Sequence, residues 1–475
     1  MGRFKEYETY DGIGLAELVA KGDVSAEELL DEAIERTEAR NPQLNAIVIK
    51  NYDDARKQIR DGLPDGPFKG VPFLLKDLHL LLKGTVTSYG SAAWDGYVAD
   101  HNSTLTDRYL KAGLVVFGKT NSPELGLAGT TEPRLYGATR NPWNLEHSPG
   151  GSSGGAAAAV AAGILPVANA SDGGGSIRIP AAACGLFGLK PTRGRTPMGP
   201  DRGEGWGGQS ISHVVSRSVR DSAALLDATT GAEPGDPYAP PHQPRPFLKE
   251  VGAPTGTLRI AVNAKRPDGT LPDPDVVKAI DQAARQLADL GHHVEEAAPP
   301  LDPAALGEHQ ASIIGANVAL ALEQRAQELG RDLTRNDVEN VTWLIAEAAK
   351  GRSSIDYAKG SLFMHQMGRL MGRFMTDYDV YLSPVLGTPP PKLGTIDMMT
   401  EDVATYLGNL TRIMPYTAIF NMTGQPSMSM PLYWAEDGLP VGTMFTARFG
   451  DDATLLRLAA QLEAAHPWAD RRPAL

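Results

Sequence analysis

A single cysteine, Cys184, occurs in 475 residues, so an intramolecular disulfide and a Cys-x-x-Cys metal site are both excluded. Its apolar setting, AAACGLFGL, is that of a buried packing thiol. Aromatic residues are sparse, at 7%. No apolar run reaches the roughly 18 residues that a membrane span requires. The longest, from Ala156 to Ala170, is broken by Gly163, Pro166 and Asn169. A basic excess is missing too: 45 Lys and Arg face 57 Asp and Glu, a net charge of −12, the wrong sign for a partner made of phosphate backbone. The opening residues, MGRFKEYETYDG, contain no apolar signal core and no Ser or Thr at position 6, so neither export nor a lipid anchor is expected. These absences point to a soluble, cytoplasmic chain with no nucleic-acid or membrane partner.

What is present is a globular composition, with 42% apolar and 21% charged residues, 51 glycines and 36 prolines. A chain this long can bury about three quarters of the surface its unfolded form exposes. Ser25-Ala-Glu-Glu28 has the capping-box pattern, with Leu30, Ala33 and Ile34 following at helical spacing. Short apolar runs, VPFLL at 71–75 and LVVFG at 114–118, alternate with helical stretches and predict buried strands in an α/β core. Residues 156–163 predict a small-residue helix packed closely on a sheet. The Gly-rich segment 196–212 predicts a loop with Trp206 as its apolar tip, placed to act as a lid. Seven prolines between Pro234 and Pro254 exclude helix and central strand there and predict a surface excursion. Beyond it LRIAVN reads as a strand, Asp273-Pro274 starts a helix with Val277, Ile280, Ala284 and Leu287 on one face, residues 302–376 read as helical, and DVYLSP at 379–384 as a strand.

Three motifs mislead. Gly113 to Thr120, GLVVFGKT, matches the letters of a phosphate-binding loop, but Leu-Val-Val-Phe is a strand sequence whose amides pair laterally instead of curling around phosphate. Nucleotide binding is retained only as a remote alternative. Gly151-Ser152-Ser153-Gly154-Gly155 satisfies G-x-S-x-G without the buried strand that must precede a nucleophile elbow. The pair His292-His293 has no third ligand at metal spacing.

Three features remain: Lys76 after an apolar run, the glycine-framed pair Ser152 and Ser153, and Ser176 after Gly173, Gly174 and Gly175. Amide cleavage needs a nucleophile, a base, a proton donor for the leaving nitrogen and amides aimed at the developing oxyanion. A lysine serves as base only when burial or a neighbouring cation keeps it neutral. The run Val71 to Leu75 offers an apolar setting, and three glycines let consecutive amides converge before Ser176.

Together these features resemble the amidase signature family. The matched block runs from about Gly70 to Asp221 and includes KDL at 76–78, GKTN at 118–121, GATRNPWN at 137–144, PGGSSGG at 149–155, SDGGGSIRIPAAACGLFGLKPTRGR at 171–195 and SRSVRDSA at 216–223. Shorter matches follow in FNMTGQPSMSMP at 420–431 and PWADRRP near the C-terminus. The resemblance implies an α/β/α sandwich around a large central mixed β-sheet, one domain over 1–475 with a signature core at about 70–222 and a helical substrate-shaping region at about 302–376. It implies Ser176 as the acylated nucleophile, Ser152, entered by a cis peptide bond, as the proton shuttle, and Lys76 as the base. Gly173, Gly174, Gly175 and Ser176 match the oxyanion donors, and Ser153, Asp172 and Arg178 the supporting positions. The residue after the aspartate is often Thr in this family, whereas Gly173 stands here.

The implied activity is hydrolysis of a small or linear amide without metal or organic cofactor, the nearest resemblance being to the 6-aminohexanoate cyclic dimer hydrolase and aryl acylamidase types. Carbamates, including urethanes, are a chemical extension because their carbonyl also carries nitrogen. Leu127, Trp206 and Ile314 are the expected pocket positions, and a monomer or homodimer the expected assembly. The rival within the family is the A subunit of glutamyl-tRNA amidotransferase.

Overall fold

The computed structural model describes residues 4–475; the first three residues of the segment read for a targeting signal lie outside it. Its eleven strands are β1 (Ile47–Lys50), β2 (Pro72–Lys76), β3 (Val115–Thr120), β4 (Val167–Asp172), β5 (Phe187–Lys190), β6 (Ile211–Ser216), β7 (Arg259–Val262), β8 (His293–Glu296), β9 (Val380–Pro384), β10 (Ser427–Trp434) and β11 (Pro440–Ala447). Eight form a mixed sheet in the order β4-β6-β5-β10-β11-β9-β7-β8, antiparallel from β4 to β9 and parallel from β9 to β8. With helices packed on it, this is the expected α/β sandwich.

One difference from a single continuous sheet stands out. β1, β3 and β2 form a separate three-stranded sheet, with β2 alongside β4 but not paired to it. The Asn169 side chain of β4 accepts the Lys76 N–H of β2 at 3.1 Å. A side-chain amide thus takes the donor that a ladder would otherwise use.

The helix Gly154–Ala161, of sequence GGAAAAVA, is buried along its whole length and packs against strands of both sheets. Its small residues permit that approach. A Cβ on Gly155 would lie 2.5 Å from Ala46 O and Asn121 N. The core continues around β9–β11, where Leu382, Met428 and Phe445 meet the helices Val219–Thr229, Pro274–Asp289 and Asp452–Ala465.

Most local expectations hold. Ser25 and Glu28 form the capping box of Ala26–Leu44, although a shorter helix, Gly12–Lys21, capped by the Asp11 side chain, precedes it. Asp273 caps Pro274–Asp289, whose buried face is Val276, Ala279, Ile280, Ala283 and Leu287, one residue round from the predicted stripe at Val277 and Ala284. Residues 302–376 hold three helices, Pro303–Leu329, Asn340–Lys350 and Ser354–Phe374. The Gly-rich loop ends at 210, because Ile211 and Ser212 already belong to β6.

The phosphate-loop alternative is overturned. Residues 115–120 are a fully buried strand paired on both sides, and Lys119, with no exposed surface, turns its amine to Thr87 Oγ1. His292 Nδ1 accepts the Leu258 N–H and its Nε2 pairs with Gln461, so that histidine is a packing residue. Cys184 is a buried free thiol.

Candidate active site

Lys76, the last residue of β2, has no exposed surface. Its Nζ lies 2.6 Å from Ser152 Oγ and 3.0 Å from Ser171 Oγ. Burial pulls its pKa down from 10.5 to about 7, against an opposing pull from the Asp172 charge. The amine is therefore poised to be neutral near neutral pH, in contact with a hydroxyl.

Ser152 sits just before the buried helix Gly154–Ala161, and the Gly151–Ser152 peptide bond is cis, as the resemblance implies. Neighbouring contacts hold this turn. Thr131 Oγ1 donates to Gly150 O at 2.9 Å and accepts from Gly154 N at 3.2 Å. Ser153 Oγ lies 3.2 Å from both the N–H and the carbonyl oxygen of Ser171, tying the turn to β4. The expected supporting position therefore links the turn at Ser152 to the strand that leads to Ser176.

Past β4 the chain turns through Gly173–Ser176 into the helix Arg178–Cys184. Asp172, fully buried, organises that turn by accepting the Gly175 N–H at 2.7 Å and the Ile177 N–H at 3.1 Å. Burial alone would raise its pKa, but the Arg178 guanidinium, bonded to both carboxylate oxygens at 2.9 Å, holds it well below the usual carboxylate range. Arg178 also donates to Thr417 O at 3.0 Å and Asn421 Oδ1 at 2.7 Å.

One expected oxyanion donor changes role. The Gly175 N–H points into the loop at Asp172, whereas the amides of Gly173, Gly174 and Ser176 have no acceptor among the described residues. The replacement of the family's usual threonine also has a physical reason: a Cβ on Gly173 would lie 2.8 Å from the Trp206 ring.

Half-buried Ser176 opens onto two cavities. The larger, about 1020 Å³, is mostly apolar and is lined by Leu127, Trp206, Ile314, Ile345, Tyr381 and Phe420. All three expected pocket positions thus line it. The smaller, about 360 Å³, is lined by Ser152, Ser171 and polar residues that include His79, Arg202 and Gln324. Burial pushes the His79 pKa down to about 3, with the nearby Arg202 guanidinium adding to the shift, so its ring is neutral.

Sequence reasoning did not single out Ser171, Thr417 or Asn421. Thr417 Oγ1 donates to Gly174 O at 2.5 Å, and Asn421 Nδ2 reaches Asp172 Oδ1 at 2.8 Å. Asn421 lies within the FNMTGQPSMSMP match, which was its available signal.

A buried lysine lies against one hydroxyl, and a glycine turn presents a second serine to two cavities. The amidase family model matches residues 28–456, and the chain belongs to that family. It is a hydrolase of non-peptide carbon–nitrogen bonds. It is 38% identical to the 6-aminohexanoate-cyclic-dimer hydrolase of Pseudomonas sp. (strain NK87), over 98% of this chain and 96% of the relative. A solved structure of 6-aminohexanoate cyclic dimer hydrolase superposes with a TM-score of 0.93 at 38% identity, covering 98% of this chain and 99% of the other. A bacterial aryl acylamidase described as an amidase signature enzyme superposes with a TM-score of 0.87 at 28% identity, covering 97% of each chain.

Proposed function

We propose that the chain hydrolyses linear amides, with carbamates as a further substrate class, through Ser176, Ser152 and Lys76. The observation that carries this reading is the 2.6 Å contact between the buried Lys76 amine and the Ser152 hydroxyl, in a site that opens to the cavities at Ser176. Neutral Lys76 takes the Ser152 proton as Ser152 takes that of Ser176, and Ser176 Oγ bonds to the carbonyl carbon. The charge on the carbonyl oxygen is met by the amides of Gly173, Gly174 and Ser176. When the carbon–nitrogen bond breaks, Ser152 returns a proton to the nitrogen and is reprotonated by Lys76. Water then adds to the acyl-enzyme by the same relay and releases the acid.

The substrate class is supported by two features. The relatives' names denote amide hydrolases, and the larger cavity has room for an extended apolar limb. Residues 1–475 are read as one amidase domain, supported by a sheet whose strands come from positions 167 to 447. A monomer or homodimer suffices for a site drawn from one chain, and a reducing cytoplasm suits the buried Cys184 thiol.

A serine-directed fluorophosphonate tests the assignment, with the adduct located by peptide mass spectrometry. The expected adduct is on Ser176, and Ser176→Ala is expected to lower kcat/KM on an anilide substrate by about 10³-fold or more. An adduct elsewhere, or near-unchanged turnover in that variant, contradicts it.

A further inference from the structure

Trp206 and Ser176 line both cavities. The indole therefore stands where the large apolar space and the small, more polar one meet, beside the serine that opens onto each. Its turn is built, not loose. Trp206 adopts φ +53°, and its carbonyl accepts the Gln209 side-chain amide at 3.1 Å. Gln209 is gripped from two directions: Gln310 Nε2 of the helix Pro303–Leu329 donates to its Oε1 at 3.3 Å, and Asn421 Nδ2 donates to its carbonyl at 3.1 Å. Asn421 is the same residue that holds Asp172 and Arg178. The turn carrying the indole and the turn carrying Ser176 thus share one anchor.

Gly173 completes the arrangement. Its φ lies outside the left-handed region, so its backbone would accept a side chain. What excludes one is the Trp206 ring, whose Cε3 and Cζ3 atoms lie 2.8 Å from where a Cβ would be. By contrast, a Cβ on the adjacent Gly174 would meet nothing within 4 Å.

We propose that Trp206, seated on Gly173, is a specificity-determining partition that assigns the two limbs of the substrate to different cavities. This rests on the reaction proposed above. Ser152, which returns the proton to the departing nitrogen, opens onto the small cavity and not the large one. The amine limb therefore occupies the small cavity, the more polar of the two, and the acyl or alkoxycarbonyl limb the large apolar one. The partition admits long apolar groups on the carbonyl side and rejects bulk on the nitrogen side.

Two substrate series test this: anilides with acyl chains lengthened stepwise from acetyl to octanoyl, and octanamides with N-substituents of increasing bulk. In the unsubstituted enzyme kcat/KM rises along the first series and falls along the second. Trp206→Ala is expected to shrink the penalty for nitrogen-side bulk by about 10-fold or more, with the acyl-length dependence retained. Trp206→Phe keeps most of the penalty. Gly173→Ala, which adds the colliding Cβ while keeping the amide, is expected to act like Trp206→Ala when made alone, and to change the penalty by less than about 2-fold when added to Trp206→Ala, the coupling of two groups in contact.

An unchanged nitrogen-side penalty in Trp206→Ala overturns the proposal. An equal Gly173→Ala effect with and without the indole does so too, since it would make Gly173 a backbone requirement. Should Gly173→Ala not fold, the comparison of Trp206→Ala with Trp206→Phe decides. Fluorophosphonate labelling of Ser176 in each variant keeps the two readings apart: a labelled serine with an unaltered penalty overturns the partition alone.

Discussion

Beneath Ser176, the side chains of Lys76, Asp172 and Arg178 are wholly inaccessible, and each is hydrogen-bonded to at least two partners. Above it, the wall of the larger cavity draws on the helices Pro303–Leu329, Asn340–Lys350 and Val403–Ile413 and on several loops and is mostly apolar, with Leu127, Ile314 and Ile345 only partly buried. Buried polar groups depend on partners of fixed position, and loss of one leaves a stranded charge or donor. Apolar walls depend on volume and tolerate substitution more easily. The floor is therefore brittle and the wall permissive; in the proposed reaction the floor sets the chemistry and the wall the substrate.

The largest effect is expected at Arg178. Arg178→Met leaves Asp172 as an unpaired buried carboxylate, and such a loss costs about 3–5 kcal/mol. Urea unfolding should register it. In the protein that remains folded, Asp172 loses the guanidinium that holds its carboxyl down, so burial favours its neutral form, the pull that raises the Lys76 pKa weakens, and the ascending limb of the pH–activity profile should move to lower pH. A wild-type midpoint in both measurements would show the floor to be as tolerant as the wall.

A smaller effect is expected on the wall. Ile314→Ala should change stability by about 1 kcal/mol or less and lower kcat/KM for long-chain acyl substrates by up to about 10-fold, chiefly through KM. A large fall in kcat for a short acetyl substrate would place Ile314 with the floor instead.

The same division explains how much was legible in the sequence. Lys76, Ser152, Ser176, Asp172 and Arg178 belong to short motifs of unusual composition, and the structure gathers them together because β2, β4 and the helix Gly154–Ala161 converge. Amide direction is not written in such motifs. Gly173, Gly174 and Gly175 look equivalent as letters, but a side-chain acceptor at Asp172 turns one amide inward. Long-range partners are also silent: Asn421 reaches Asp172 across 249 positions, and nothing local to either residue announces the contact. The gap between the two sheets was equally hidden, since it rests on the Asn169 side chain replacing a backbone acceptor. The cavity walls were legible only as a helical region, because a cavity's shape follows from how helices pack, which apolar periodicity does not specify.

The account turns on the charge of one amine, and ¹⁵N NMR of the lysine side chains, with Lys76→Met to assign the resonance, measures it directly. The account predicts that the Lys76 amine titrates at about pH 7 and that kcat/KM rises with pH over the same range as the amine loses its proton. A Lys76 resonance that stays cationic through about pH 9, the behaviour of a solvated lysine, while the enzyme is fully active would contradict it.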